Sequence, residues 1–282
     1  MRRLGIHCNR LSHLEEWGLR KGFRRFELFN FPPDELPALK RILLSEDLAF
    51  GVHAPLVRPD WYPDPPTVSF LCNVNSEDRK LTMRMIEEAA SQAQDIGAEY
   101  LLVHFPSPCE DASGESERKL EYIAWKSCDW LAELSAKRGI PIVAEGVGAS
   151  QHLRADLLAK MFSEYPVLRF CYDVGHMKLA SLVRNLDPYE FAQAVKPFTI
   201  EVHLWNIRGR EDYRRYHHIP VHPSQKPEEG WMDVRRIIEI FGEREDVFFI
   251  LESPSSFPEE FGNLSFEESV GWVRELLGIS SS

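Results

Sequence analysis

Cysteine is scarce and unpatterned in this 282-residue chain. Cys8, Cys72, Cys109, Cys128 and Cys171 are odd in number and lack paired spacing. That excludes a disulfide-stapled scaffold or a zinc ribbon and reads as reduced thiols. Long apolar runs are missing too. No stretch reaches the roughly 18 residues needed to span a bilayer, which excludes an integral membrane protein. The opening stretch from Met1 to His7 meets an imidazole before any leader-like apolar segment develops, so the expected location is cytoplasmic. Positive charge is in deficit, with 33 Lys and Arg against 44 Asp and Glu, a net charge of −11 and a pI near 5.4. Duplex nucleic acid is bound mainly by neutralising phosphates, so this balance disfavours it as a partner and leaves a small molecule as the expected one. No Gly-rich loop follows the first apolar run, which weighs against a dinucleotide-binding fold. No Pro-, Gly- or Ser-rich linker divides the chain, so residues 1–282 read as one domain. Oligomeric state is left open.

What is present is a regular alternation. Short β-rich runs occur at 4–8, 23–28, 49–53, 100–105, 141–145, 168–173, 199–204 and 247–252. Helical patterns lie between them. One starts at Ser76, carries Leu81, Met85, Ala89, Ala93 and Ile96 on one stripe, and stops at Gly97. A second spans 117–138 and stops at Gly139. Asp187-Pro188-Tyr189-Glu190 and Ser265-Phe266-Glu267-Glu268 read as capping boxes that open further helices. Strand–helix alternation implies a parallel sheet with right-handed crossovers. Eight repeats in this length predict an α/β fold, a closed (β/α)8 TIM barrel.

Two connections are long, 54–75 and 205–231, and both leave C-terminal strand ends, where barrels build active sites. The first holds Pro55, Pro59, Pro63, Pro65 and Pro66, which predict a stiff wall and not a mobile lid. Aromatic residues fill both: Trp61 and Tyr62 in one; Trp205, Tyr213, Tyr216 and Trp231 in the other. They could stack on a substrate ring or pin the loops to the rim.

The chemistry-bearing residues share one position in the repeat. The third to sixth strands close on His53, His104, Glu145 and Asp173, with His176 three residues past the last. The seventh carries His203, and the eighth closes on Glu252. Six successive strands thus end an apolar run on a His, Asp or Glu, and a closed barrel brings those ends to one mouth. Burying three carboxylates together is costly unless a cation compensates them. Imidazole and carboxylate ligands suit a divalent ion, zinc or manganese before magnesium. A single polar strand end is usually a capping residue; six in register are not. His7 and Glu27 at the ends of the first two strands could line the mouth or merely bond a loop. His13, His152 and His222 read as surface or loop residues.

The ordered words Val52-His53-Ala54-Pro55, Leu102-Val103-His104-Phe105-Pro106, Ala144-Glu145-Gly146, Tyr172-Asp173-Val174-Gly175-His176, Val202-His203-Leu204 and Ile250-Leu251-Glu252-Ser253-Pro254 resemble the xylose isomerase-like barrel superfamily. That superfamily includes endonuclease IV and sugar-phosphate isomerases and epimerases. The resemblance implies that Glu145, Asp173, His203 and Glu252 bind one ion, as in the isomerases. It implies that His53 and His104 hold a second ion beside it, as in the nuclease, with Glu145 bridging. His176 matches a ligand of a third ion or a substrate-binding histidine. His217 or His218 can supply the imidazole of that third site, although Arg215 or Tyr216 stands where its Asp would be. One to three ions are therefore expected.

Two mechanisms follow. The main expectation is hydrolysis of a small nucleotide- or cofactor-like phosphoester by two ions that activate water. Arg208, Arg210, Arg214 and Arg215 would face the phosphate, with Trp205 and Trp61 against the rest of the substrate. Against this, the same arginines can form a solvated loop paired with Glu211 and Asp212. The alternative is isomerisation or epimerisation of a sugar or sugar phosphate on one ion, with Glu145 and Glu252 as the acid–base pair. A third reading, a barrel that binds metal or ligand without turnover, is the weakest, because six strands carry intact ligand types.

Overall fold

A computed structural model of the chain describes residues 3–106, 116–148, 150, 152–184 and 186–279. Eight parallel strands close on themselves in sequence order. They are β1 (Leu4–Cys8), β2 (Arg25–Leu28), β3 (Ala49–His53), β4 (Leu101–His104), β5 (Ile142–Glu145), β6 (Leu168–Asp173), β7 (Thr199–Leu204) and β8 (Phe248–Leu251). β1 pairs with β8 through Leu4 and Phe249, which shuts the barrel. The expected (β/α)8 architecture is present. Four strands keep their expected bounds, and the others are shorter by one or two residues at an end. Phe23, Tyr100 and Val247, for example, lie just outside the ladders, a normal fraying of element boundaries.

The helices are α1 (Leu36–Ser45), α2 (Ser76–Ile96), α3 (Glu117–Arg138), α4 (Ala155–Glu164), α5 (Val174–Arg184), α6 (Pro188–Val195), α7 (Arg210–Tyr216), α8 (Val234–Gly242) and α9 (Phe266–Leu276). Their ends follow local chemistry. Asn75 caps α2 by accepting from Glu77 N, and Gly97 ends it in the left-handed region at φ 77°. Gly139 ends α3 in the same way. Ser265 and Glu268 form the reciprocal capping box that opens α9. Asp187 caps α6 through Tyr189 N and Glu190 N, without the reciprocal bond that the sequence suggested.

Two cores result. The outer one lies between strands and helices and takes the residues that point out of the barrel, such as Phe26, Val52, Val103, Ala144 and Phe170. The inner one fills the barrel with Leu102, Val143, Cys171, Phe248 and Ile250, closed below by Tyr100. Packing of the inner core depends on Gly51. A Cβ there would lie 2.0 Å from the ring of Tyr100, so the missing side chain on β3 is the space the phenol occupies. Because alternate residues of a strand face inward, the inward position after this layer is where Glu145, Asp173, His203 and the other polar strand ends sit.

The glycines give a direct check. Gly51→Ala should lower stability by about 2–3 kcal/mol, through overpacking. Gly271, exposed within α9 with nothing near its missing Cβ, should gain about 0.5–1 kcal/mol when changed to Ala. Denaturant midpoints of the two variants measure both; equal midpoints would remove the packing argument.

Candidate metal centre

Glu145, Asp173, His203 and Glu252 each present one donor atom, and all four atoms lie within 4.8 Å of one another. Three come from β5, β6 and β7, and Glu252 immediately follows β8. All are buried, Glu252 the most exposed at 8 %. His203 Nδ1 is the hub, 3.1 Å from Glu145 Oε1, 2.9 Å from Glu252 Oε2 and 3.6 Å from Asp173 Oδ2. Beside this group, His53, His104 and Glu145 form another with the same spacing. His53 Nε2 and His104 Nε2 approach Glu145 Oε2 at 3.3 and 3.4 Å. Glu145 therefore turns one oxygen to each group. A third group adds Cys171 and Glu201, one inward position deeper on β6 and β7, to the shared His203.

The residues fit a divalent cation. Glu145 Oε2 and Glu252 Oε2 are enclosed and accept no directed hydrogen bond; the imidazole nitrogens beside them, at 2.9–3.4 Å, leave lone pairs that a cation would satisfy. Electrostatics agree. Burial works against the charge on His53, yet its bond to Glu145 and the surrounding carboxylates outweigh burial and raise its pKa to about 9. Burial also opposes charge on His203, but Glu27, Glu252 and Glu145 hold it well above the ordinary value. Desolvation raises Asp173 and lifts Glu27 to about 7. His104 falls to about 4, through burial and then the charge of His53. Without a cation, the carboxylates of the cluster favour the charged forms of His53 and His203.

Asp173 is held from two sides. His176 N donates to Oδ1 and the indole Nε1 of Trp205 donates to Oδ2, both at 2.6 Å. Gly175 makes this possible, since a Cβ there would sit 2.3 Å from the Trp205 ring. Trp205 is fully buried. It is thus a support for Asp173 and not the stacking platform expected from sequence. It also stacks on His218, with centroids 4.0 Å apart, while His218 Nδ1 donates to the Glu252 carbonyl at 2.9 Å.

Above the ligands lies a cavity of about 190 Å³. Its polar lining comes from His7, His53, His104, His176, His218, Glu145 and Glu252, and Phe29, Phe70 and Tyr213 form its aromatic walls. Of the two candidate imidazoles in the long loop, His218 reaches the cavity. His217 is exposed, with its ring edge against Tyr213. Phe29, Thr67 and Phe70 carry no sequence signal beyond following C-terminal strand ends.

Several expected contacts are not made. Arg208 is locked by Asp212, with Nε–Oδ2 and Nη2–Oδ1 both 2.8 Å, and lies over the Phe261 ring. Arg215 pairs with Glu260 at 2.7 Å, and Arg210 is exposed at the first turn of α7. None of these lines the cavity. Carboxylates adjacent in sequence and space outcompete a distant mouth for the guanidinium groups. Trp61 sits under Arg84 and donates to Glu88 on α2, so it pins its loop to the outer wall. Glu27 is enclosed below the mouth, not at it. His152 and His222 lie in connections, as one of the two readings had it, but are buried, at 2 % and 7 % exposure; His222 is held by Ser224 Oγ at 2.7 Å. Cys109 lies outside the described residues. The four other cysteines are buried. No helix among the described residues is long and apolar enough to cross a membrane.

A closed (β/α)8 barrel with a carboxylate–imidazole cluster at its C-terminal mouth defines the class. Residues 16–276 match the family described as xylose isomerase-like TIM barrel, and the chain belongs to it. Among solved structures, a D-tagatose 3-epimerase-like protein is 18 % identical, with 98 % of this chain and 97 % of that one covered and a TM-score of 0.72. An L-ribulose 3-epimerase is 13 % identical over 99 % and 95 % of the two chains, with a TM-score of 0.68. A Thermus thermophilus protein soaked with zinc chloride is 17 % identical over 99 % and 100 %, with a TM-score of 0.63. At these identities the likeness is one of fold. No curated protein matches the sequence.

A ligand that binds only the folded state stabilises it by about 2.7 kcal/mol at a hundredfold excess over Kd. Stripping divalent ions with a chelator should therefore lower the Tm by about 5 °C or more, and zinc or manganese should restore it. An unchanged Tm in the Glu145→Gln, Asp173→Asn double variant on metal addition would locate the effect at this cluster.

Proposed function

We propose that the protein is a divalent-metal-dependent isomerase or epimerase acting on a small keto sugar. The observation that carries this reading is the pair Glu145 and Glu252, which converge on His203 Nδ1 at 3.1 and 2.9 Å and both border the cavity. When bound by Glu145, Asp173, His203 and Glu252, a divalent cation supplies Lewis-acid polarisation of a carbonyl and its neighbouring hydroxyl. One carboxylate takes the proton from the carbon beside the carbonyl, and the other delivers a proton to the opposite face. His176 and His218 are placed to bond sugar hydroxyls, and the walls of Phe29, Phe70 and Tyr213 exclude water from the reacting carbon.

This order reverses the sequence-based preference for phosphoester hydrolysis. Two findings support the reversal. The described lining of the cavity contains no Lys or Arg, whereas a phosphate would call for them, and sugar epimerases are among the proteins that share the fold over nearly the whole chain. One observation keeps hydrolysis as a second reading: His53, His104 and Glu145 bring donors close enough for a second ion, the arrangement a two-ion phosphoesterase needs.

A panel of ketopentoses, ketohexoses and their phosphates in deuterated water, read by NMR, tests the choice. A substrate should exchange its proton beside the carbonyl for deuterium. On that substrate Glu145→Gln and Glu252→Gln should each lower kcat by about 10²–10⁴-fold. His104→Ala should leave turnover within about tenfold, because only the two-ion mechanism assigns it an essential ion. Loss of a phosphodiesterase activity in His104→Ala, with no exchange on any sugar, would establish the second reading instead.

A further inference from the structure

Beneath the cluster, on the side away from the cavity, two carboxylates face the other nitrogen of His203. His203 Nε2 lies 3.3 Å from Glu27 Oε1 and 3.5 Å from Glu201 Oε1. All three residues are 0 % exposed. Neither oxygen of Glu27 has a directed hydrogen bond, nor has His203 Nε2, so donor and acceptors face one another with their bonding capacity unused. Glu201 is held in place by Tyr100, whose hydroxyl donates to Oε1 at 2.7 Å, and Tyr100 itself fits only because residue 51 is Gly.

We infer that Glu27 and Glu201 are positioning residues that fix which nitrogen of His203 carries the proton, and so prepare the metal site. This rests on the metal-dependent reading above. Acceptors on the two sides of His203 compete for one hydrogen. On the upper side, Nδ1 has Glu252 Oε2, Glu145 Oε1 and Asp173 Oδ2 within 3.6 Å. With nothing below, a neutral His203 would place its hydrogen on Nδ1, bond Glu252 and close the ligand set against a cation. Acceptors below draw the hydrogen to Nε2 instead. The Nδ1 lone pair then faces the three carboxylates, an arrangement satisfied only by a cation among them. A metal-ligating histidine commonly gives its second N–H to such an acceptor, and loss of that acceptor costs about 10–100-fold in metal affinity. Glu27 comes from β2 and Glu201 from β7, two residues before its ligand on the same inward face. Neither touches the cavity, so neither acts on substrate.

The test uses the full chain, with manganese or zinc alone as the probe. The wild type, Glu27→Leu and Glu27→Gln are stripped of metal and titrated calorimetrically, with circular dichroism as the check of folding. Glu27→Leu should bind about 10–100-fold more weakly. Glu27→Gln, whose amide oxygen still accepts, should recover most of that affinity. Because Gln also restores the volume that Leu changes, the site of the His203 hydrogen separates this role from a merely structural one. In metal-loaded wild type, long-range 15N–1H spectra should place the His203 hydrogen on Nε2, a measurement independent of any variant's folding. Unchanged affinity in Glu27→Leu, or a hydrogen on Nδ1 in the loaded wild type, overturns the inference alone. No binding by the wild type overturns the metal-dependent reading that underlies it.

Discussion

Five carboxylates, Glu27, Glu145, Asp173, Glu201 and Glu252, are enclosed at the upper end of one narrow barrel. Every other feature of the site depends on offsetting them. An uncompensated buried charge costs several kcal/mol, and His203 can serve only one face with each nitrogen. The imidazoles of His53 and His203, whose charged forms the surrounding carboxylates favour, can offset part of the charge. A cation among Glu145, Asp173, His203 and Glu252 does so with ligand geometry that the strands already hold. Fold and chemistry are therefore joined at one point. Closure of the barrel brings the carboxylates together, and a cation bound among them would make their proximity stable and useful.

The surroundings show how a barrel holds such a cluster. Small residues at particular positions admit large ones from elsewhere: Gly51 admits Tyr100, which anchors Glu201, and Gly175 admits Trp205, which anchors Asp173. Asp173 is thus fixed by the first residue after β7 and Glu201 by the residue just before β4, so that both partners are held at strand ends. The loops contribute shape. Phe70 and Tyr213 from the two long connections narrow the space over the ligands.

Much of this was legible in the residues. Apolar runs of strand length, separated by capped helices, predicted the eight staves and their order. The inward His, Asp or Glu at the end of each late strand predicted the cluster, because period-two alternation and barrel closure leave those side chains one place to go. What stayed hidden depends on distance in sequence. Nothing near Trp205 announces that its indole will bond Asp173, and nothing near Glu27 announces His203. The loop arginines misled for the opposite reason. Arg208 and Asp212 are four apart on one turn, a local pairing that the sequence already offered, and it prevailed over a contact across the mouth. His152 and His222 show that a histidine in a connection can be as buried as one in a strand.

The central claim is that one divalent cation sits among Glu145, Asp173, His203 and Glu252. Crystals grown with manganese or zinc and measured at the absorption edge of that metal test it most directly. The account predicts an anomalous difference peak within bonding distance of His203 Nδ1 and of the three carboxylates. A fully metal-equilibrated crystal with no peak there, or with the four side chains turned away from a common centre, would contradict it.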